Sequence, residues 1–312
     1  MCGLLRQSLA CALLAAALVL CSAAASQARP VQHVLVLHAY HQGYQWTDNI
    51  QSGIIEAMAR LAPQAMVHVE YMDSKRQAPE KIFGLLADFY AKKYAGVQFD
   101  AILASDDNAL DFLLAHRDRL FPGSPVVFCG VNDYRPDRLG GKQGYTGVSE
   151  RVDIKGTIEA ALKLMPSMRR LAIITDATET GQYNRKNALE AVQPFLGRVE
   201  VQELTGTTFG EMASALSTLS SDTAILHMGL FRDPDGQSMD VPEFMDFTRK
   251  HTAQPIFGVW DFLLGHHTVG GVVVSGAHQG QAMAALAVRI LGGENVDDIP
   301  VVLQSPNAPM FD

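Results

Sequence analysis

Short apolar runs and amphipathic stretches alternate along most of this chain. Val31 to His38 (VQHVLVLH), Met66 to Tyr71, Asp100 to Ala104 and Pro125 to Cys129 are brief β-rich runs and predict strands, the first apolar enough to be buried on both faces. Helical periodicity fills the gaps. One helix, capped by Thr47 or Asp48, runs to about Leu61 with Ile50, Ile54, Ile55 and Met58 on one face. Pro79 opens another through Ile82, Leu85, Leu86 and Phe89, and Ser105-Asp106-Asp107-Asn108 opens a third through Leu110, Leu113 and Leu114.

Residues 132–143 interrupt this order with a loop dense in Asn, Asp, Pro and Gly, and Tyr145 to Val148 is a short extended piece beyond it. The alternation then restarts. Helices are predicted at Asp153 to Leu164, about Thr180 to Phe195, Phe209 to Leu219, Val241 to His251 and Gln279 to Leu291. Strands are predicted at Arg170 to Thr175, Val199 to Leu204, Thr223 to Met228, Pro255 to Val259 and Gly271 to Val274, with a closing extended piece at Ile299 to Leu303. Such alternation calls for an α/β protein with parallel sheets covered by helices on both faces. The loop at 132–143 reads as the first crossing between two lobes, with a cleft between them.

The 312 residues suffice for one large or two medium domains, and 48% apolar content supplies real cores. Arg6, the apolar run Leu9 to Ala25 and the small-x-small pattern Ser26-Gln27-Ala28 read as a secretory signal over residues 1–28. An export signal implies a periplasmic address, with membrane anchoring if the signal stays uncleaved. Losing Arg6 and no acid would take the formal charge from −8 to −9. An acidic chain without a Lys/Arg run argues against nucleic acid as partner. Cys2, Cys11 and Cys21 lie in the signal, so Cys129 alone remains and no intrachain disulfide is expected.

In open parallel sheets ligands bind beyond the carboxyl ends of the strands. That rule selects Tyr40, His41 and Trp46, then Ser105, Asp106 and Asp107, then Asn132 and Asp133, from the first lobe. From the second it selects Thr175, Thr178, Tyr183, Trp260 and Asp261. Aromatics offer flat stacking area and carboxylates fix orientation. Either Ser105 or Asp106 also reads as a helix cap, Asp261 can be one too, and Lys75-Arg76, in the loop after the second strand, reads as a solvated charged turn with an anion clamp as the alternative.

Signatures of catalysis and of cofactor binding are missing. His38-x-x-His41 and His266-His267 have no companion ligands at metal spacing, so no metal is expected. Gly147-Val148-Ser149-Glu150-Arg151 fails the nucleophile elbow at its last position, and neither a P-loop nor G-x-G-x-x-G occurs, so no cofactor is expected. Asp106-Asp107 are adjacent at a helix start and diverge, which makes a poor acid/base pair. This favours a protein that holds a ligand. The alternative is an exported hydrolase or lyase using His41, Asp106, Asp107 and Asp261.

With these residues laid out, the chain resembles the ABC-type substrate-binding protein family of type I periplasmic-binding architecture. The likeness lies in Pro125-Val126-Val127-Phe128, Tyr145-Thr146-Gly147-Val148, Leu164-Met165-Pro166 leading into Arg170 to Ile174, and Ile290-Leu291-Gly292-Gly293-Glu294 through Asp298-Ile299-Pro300-Val301. Tyr71-Met72-Asp73-Ser74-Lys75-Arg76, Ser105 to Leu110 and Ser305-Pro306-Asn307 are similar to the version that serves as extracytoplasmic sensor region of bacterial receptor kinases. The resemblance implies two Rossmann-like lobes, one built from 31–131 plus 270–293 and the other from 144–269 plus 294–312. It further implies a small-molecule ligand, lobe closure, and either an ABC permease or a downstream receptor kinase region as partner.

Overall fold

The alternating apolar runs become two sheets in a computed structural model that describes residues 31–312 except 133, 230 and 231; the expected signal at 1–28 and Asp133 lie outside the described residues. The first sheet has the order β2 (Met66–Tyr71), β1 (His33–His38), β3 (Ala101–Ser105), β4 (Val126–Asn132), β5 (Tyr145–Glu150), all parallel. The second has the order β11 (Ala308–Phe311), β10 (Thr268–Val273), β9 (Ile256–Gly258), β8 (Thr223–His227), β6 (Arg170–Thr175), β7 (Glu200–Thr205), with only β11 antiparallel. The helices are α1 (Gln45–Leu61), α2 (Pro79–Lys93), α3 (Asp107–Leu120), α4 (Ile154–Leu164), α5 (Glu179–Val192), α6 (Phe209–Ser217), α7 (Val241–His251) and α8 (Gly276–Leu291).

Strand periodicity decides which helices cover which face. In β1, Leu35 and Leu37 join Ile102, Ala104 and Phe128 in a core under α2 and α3. Val34 and Val36 point the other way and meet Leu103, Val127 and Cys129 in a core with α1 and α8. Burial on both faces is what the unbroken apolar runs require. The second sheet repeats the arrangement, with Leu171, Ile173 and Leu226 facing α4 and α5 while Ala172, Ile174 and Ile225 face α6 and α7.

Helices α1 and α8 touch at backbone distance. A Cβ on Gly53 would lie 2.1 Å from the Ala277 carbonyl oxygen, and one on Gly280 would lie 2.2 Å from that of Ile50. Only glycine fits at either place. This fixes the start of α1, and therefore Trp46, against the start of α8.

The crossings differ from the sequence expectation. Residues 145–150 pair with β4 as the fifth strand of the first sheet, so the chain leaves that sheet after Glu150 and not at 132–143. Residues 268–273 pair with β9 in the second sheet, so the return begins near Val274, whereas 270 had been expected in the first lobe. The tail runs beside the first sheet, where Val302 bridges Val148, before β11 closes the edge of the second. Strand β11 was not foreseen, and the extended piece expected at Ile299 to Leu303 makes that single bridge.

Buried Gln279 on α8 ties β4, the end of β5 and the tail together. Its Oε1 accepts from the Gly130 amide at 3.3 Å, and its Nε2 donates to the Ser149 carbonyl at 3.3 Å and to Ser305 Oγ at 2.9 Å.

Candidate functional site

The carboxyl ends of β1, β3, β4 and β5 converge on a chamber of about 270 Å³ that also takes walls from the second sheet. Parallel register sets the convergence: His38 lies opposite Ser105, Ser105 opposite Cys129, and Asn132 opposite Glu150. The residues just past these strand ends therefore share one hollow.

Asp106 follows β3 with φ 72° and ψ 166°, a backbone region that residues other than glycine seldom occupy. Its amide donates to the Cys129 carbonyl at 2.8 Å, and the Trp46 indole N–H donates to its Oδ1 at 2.7 Å. Gly130, at φ 65°, leaves the room this needs, since a Cβ there would meet Asp106 Oδ1 at 2.9 Å. Asp106 Oδ2 is buried without a protein partner. Burial pushes the Asp106 carboxyl up to about 7, against the pull of hydrogen bonding from Trp46 and Ser105 and, more weakly, of the Lys75 charge. The side chain makes no capping bond to α3, so the cap role expected for Asp106 is not taken up. Ser105 does not cap either; it is buried and holds His38 Nδ1 at 2.9 Å, away from the chamber.

Glu150, the last residue of β5, repeats the motif. The Trp260 indole N–H donates to its Oε1 at 3.0 Å. Burial pushes the Glu150 carboxyl up to about 8, with the nearby Asp106 charge adding to the rise. The site thus holds two buried carboxylates, each gripped by an indole. Phe262 joins the indoles, edge-on to Trp46 at 6.4 Å and stacked on Trp260 at 5.8 Å. Tyr40 and Tyr44 meet edge to face at 5.7 Å on the other side, and Lys75 Nζ lies over both rings at 4.6 and 5.1 Å. Asp107 also lines the chamber but is occupied by Arg138 and by Asn132 Nδ2 at 2.8 Å. From the second lobe Asn184, fixed by its bond to the Met228 carbonyl at 3.0 Å, reaches the wall together with Phe244 and Leu263.

Of the residues selected from sequence, Tyr40, Trp46, Asp106, Asp107, Asn132 and Trp260 line this chamber. The others have different work. His41 Nδ1 lies 3.5 Å from Asp73 Oδ1, Thr175 bonds Thr205 at 2.6 Å, and Thr178 caps α5 through the Gly181 amide at 3.1 Å. Asp261 accepts from the Gly276 amide at 3.0 Å. Tyr183 lines an adjoining hollow that shares Asn132, Glu150, Asn184 and Trp260 with the chamber. His41 and Asp261 are not among the residues that line the chamber with Asp106 and Asp107. Lys75, read as a solvated turn or an anion clamp, points its ammonium at the tyrosine rings, on a turn where the Ser74 amide and hydroxyl both hold the Ala39 carbonyl, at 2.9 and 2.8 Å.

Glu150, Tyr44, Phe244, Phe262, Leu263 and Asn184 were not selected. Glu150 was within reach of the strand-end rule, had Tyr145 onward been recognised as a strand of the first sheet.

Among the described residues no group of three or more His, Cys, Asp or Glu is placed to hold a metal, and no helix is long and apolar enough to cross a membrane.

No protein-family model matches the chain, and no curated protein matches it. Solved structures do. An ABC domain in complex with L-Trp from Streptococcus pneumonia is 17% identical, with a TM-score of 0.61 over 91% of this chain and 92% of that one. A ligand-free, open substrate binding protein with adhesive properties from Clostridium difficile is 15% identical, with a TM-score of 0.64 over 90% and 92%. A periplasmic ribose ABC transporter structure from Conexibacter woesei is 14% identical, with a TM-score of 0.57 over 90% and 92%. At such identities the likeness establishes the fold: two α/β lobes in the type I periplasmic-binding architecture.

Proposed function

We propose that this protein is an exported, non-catalytic receptor for a small organic ligand carrying a protonated amine beside a flat ring. One observation carries the reading: Asp106 and Glu150, both buried, face one ring-lined chamber, each held by an indole. A buried carboxylate wants a cation or a proton, and aromatic walls favour an organic cation over a hydrated metal ion. Asp106 Oδ2 is a buried acceptor that no hydrogen bond within the protein satisfies. The chamber of about 270 Å³ suits one ring with a short polar arm.

On this reading the ligand is gripped from both lobes and draws them together about the passages near residues 151–153, 274–275 and 303–307. The lobes divide at these passages. The ligand-bound form then engages either an ABC permease or the remainder of a membrane receptor. The solved relative holding L-Trp supports the amine-and-ring class, and the periplasmic relative supports export.

Isothermal titration with tryptamine, tyramine and phenethylamine, beside the amino acids L-tryptophan, L-tyrosine and L-phenylalanine, tests the proposal. Saturable binding by at least one of the six is expected, and it should be lost in Asp106→Asn. Absence of binding across the whole set, or binding untouched by Asp106→Asn, defeats it.

A further inference from the structure

We infer that Lys75 makes the chamber selective for a zwitterion, an amine that brings its own carboxylate on the adjacent carbon, over a plain amine; this rests on the amine-binding reading above. The β2–α2 turn that carries Lys75 is built to aim it. Asp73 sits at φ 60°, Ser74 is doubly bonded to the Ala39 carbonyl, and Asn108 Nδ2 donates to Ser74 Oγ at 2.9 Å. The ammonium ends over Tyr40 and Tyr44 at the chamber wall.

Its charge acts on Asp106 and Glu150 in the chamber and is taken up by no ion pair among the described residues. Asp73, the nearest acid in sequence, is taken by Arg76 at 2.7 Å, and Asp107 is taken by Arg138. Among the described residues no ion pair involves Lys75, and the tyrosine faces hold a cation without neutralising it.

Two consequences follow from Coulomb's law at short range. A plain amine at Asp106 and Glu150 must sit beside a second, fixed cation, which weakens it. An α-amino acid places its ammonium at the acids and its carboxylate toward Lys75, so the same side chain turns from repulsive to attractive. Discrimination then comes from a penalty on the wrong ligand as well as from a contact to the right one.

Affinities of wild type, Lys75→Met and Lys75→Arg for the matched pair L-tryptophan and tryptamine test this, with the tyrosine and phenylalanine pairs as further probes. Wild type should prefer the amino acid by about tenfold or more. Lys75→Met should bind tryptamine more tightly and L-tryptophan more weakly than wild type, and Lys75→Arg should keep the wild-type order. A wild type that binds amine and amino acid equally, or a Lys75→Met that weakens both by the same factor, overturns the assignment to Lys75 and leaves the amine reading standing. Binding of neither member of any pair by wild type removes both.

Discussion

The Trp260 indole N–H reaches Glu150 Oε1 at 3.0 Å, linking the loop after a strand of the second sheet to the last residue of a strand in the first. Trp260 lies two residues past β9, and Glu150 ends β5 immediately before the chain departs for the second lobe. A single bond therefore ties the segment after β9 to the point where the chain leaves the first sheet. Trp260→Phe keeps the ring and removes the donor, leaving a buried carboxylate short of a partner. The expected loss of stability is about 1–3 kcal/mol, read by urea unfolding, and Glu150→Gln combined with it should recover part of that loss.

Stability should fall as pH rises from about 6.5 to about 8. Asp106 and Glu150 ionise near 4 when unfolded but are held up to about 7 and 8 when folded, so the folded protein binds more protons across that interval and loses stability through it. Below 6.5 the buried His227 and His38, pulled down by burial to about 3 and 4, oppose the carboxyls. Unfolding takes up protons on these two histidines as it releases them from the two acids, so the slope flattens. Denaturant midpoints between pH 5 and 8.5 check this. Asp106→Asn with Glu150→Gln should remove the alkaline fall, and a wild type that gains stability from 6.5 to 8 would contradict the burial of these acids.

An amine ligand should bind more tightly over the same pH interval, because it wants the acids ionised. Titrations at pH 7.5 in buffers of different ionisation heat should show protons released on binding. Uptake of protons would contradict the carboxylate role.

Gly280→Ala should cost about 3 kcal/mol, since the new Cβ would meet the Ile50 carbonyl oxygen at 2.2 Å and force α1 from α8. Ligand affinity should drop with it, because Trp46 rides on the first turn of α1. Equal stability by thermal unfolding would show that the helices part more easily than their contact implies.

Gln279→Leu should cost roughly 2 kcal/mol, because it strips partners from the Gly130 amide, the Ser149 carbonyl and the Ser305 hydroxyl together. Hydrogen exchange should quicken at Gly130 in the variant. An unchanged rate there would mean that Gln279 is not the clasp its bonds suggest.

Much of the fold was legible because apolar runs buried on both faces have few other readings, as Val34 to Leu37 illustrate. The boundary between lobes was not. Whether Tyr145 pairs with Val126 is settled by contacts between distant segments, which local pattern does not encode. Misplacing β5 hid Glu150. The strand-end rule located Asp106, Asn132 and Trp260, but it cannot tell a side chain facing the cleft from one turned back, and Ser105 is turned back to His38. Asp106 looked like a cap because its residue type suits one, while its positive φ sends the carboxyl toward Trp46. Lys75 looked solvated because loop lysines generally are, and its aim depends on Ser74 and Ala39 meeting across the turn.

The sequence contains two tryptophans, and both donate to the acids of the chamber. Ultraviolet emission from this protein therefore originates almost wholly at the cleft, with one emitter on the first turn of α1 and the other just past β9. The molecule carries its own optical gauge, able to report occupancy and protonation without any attached dye.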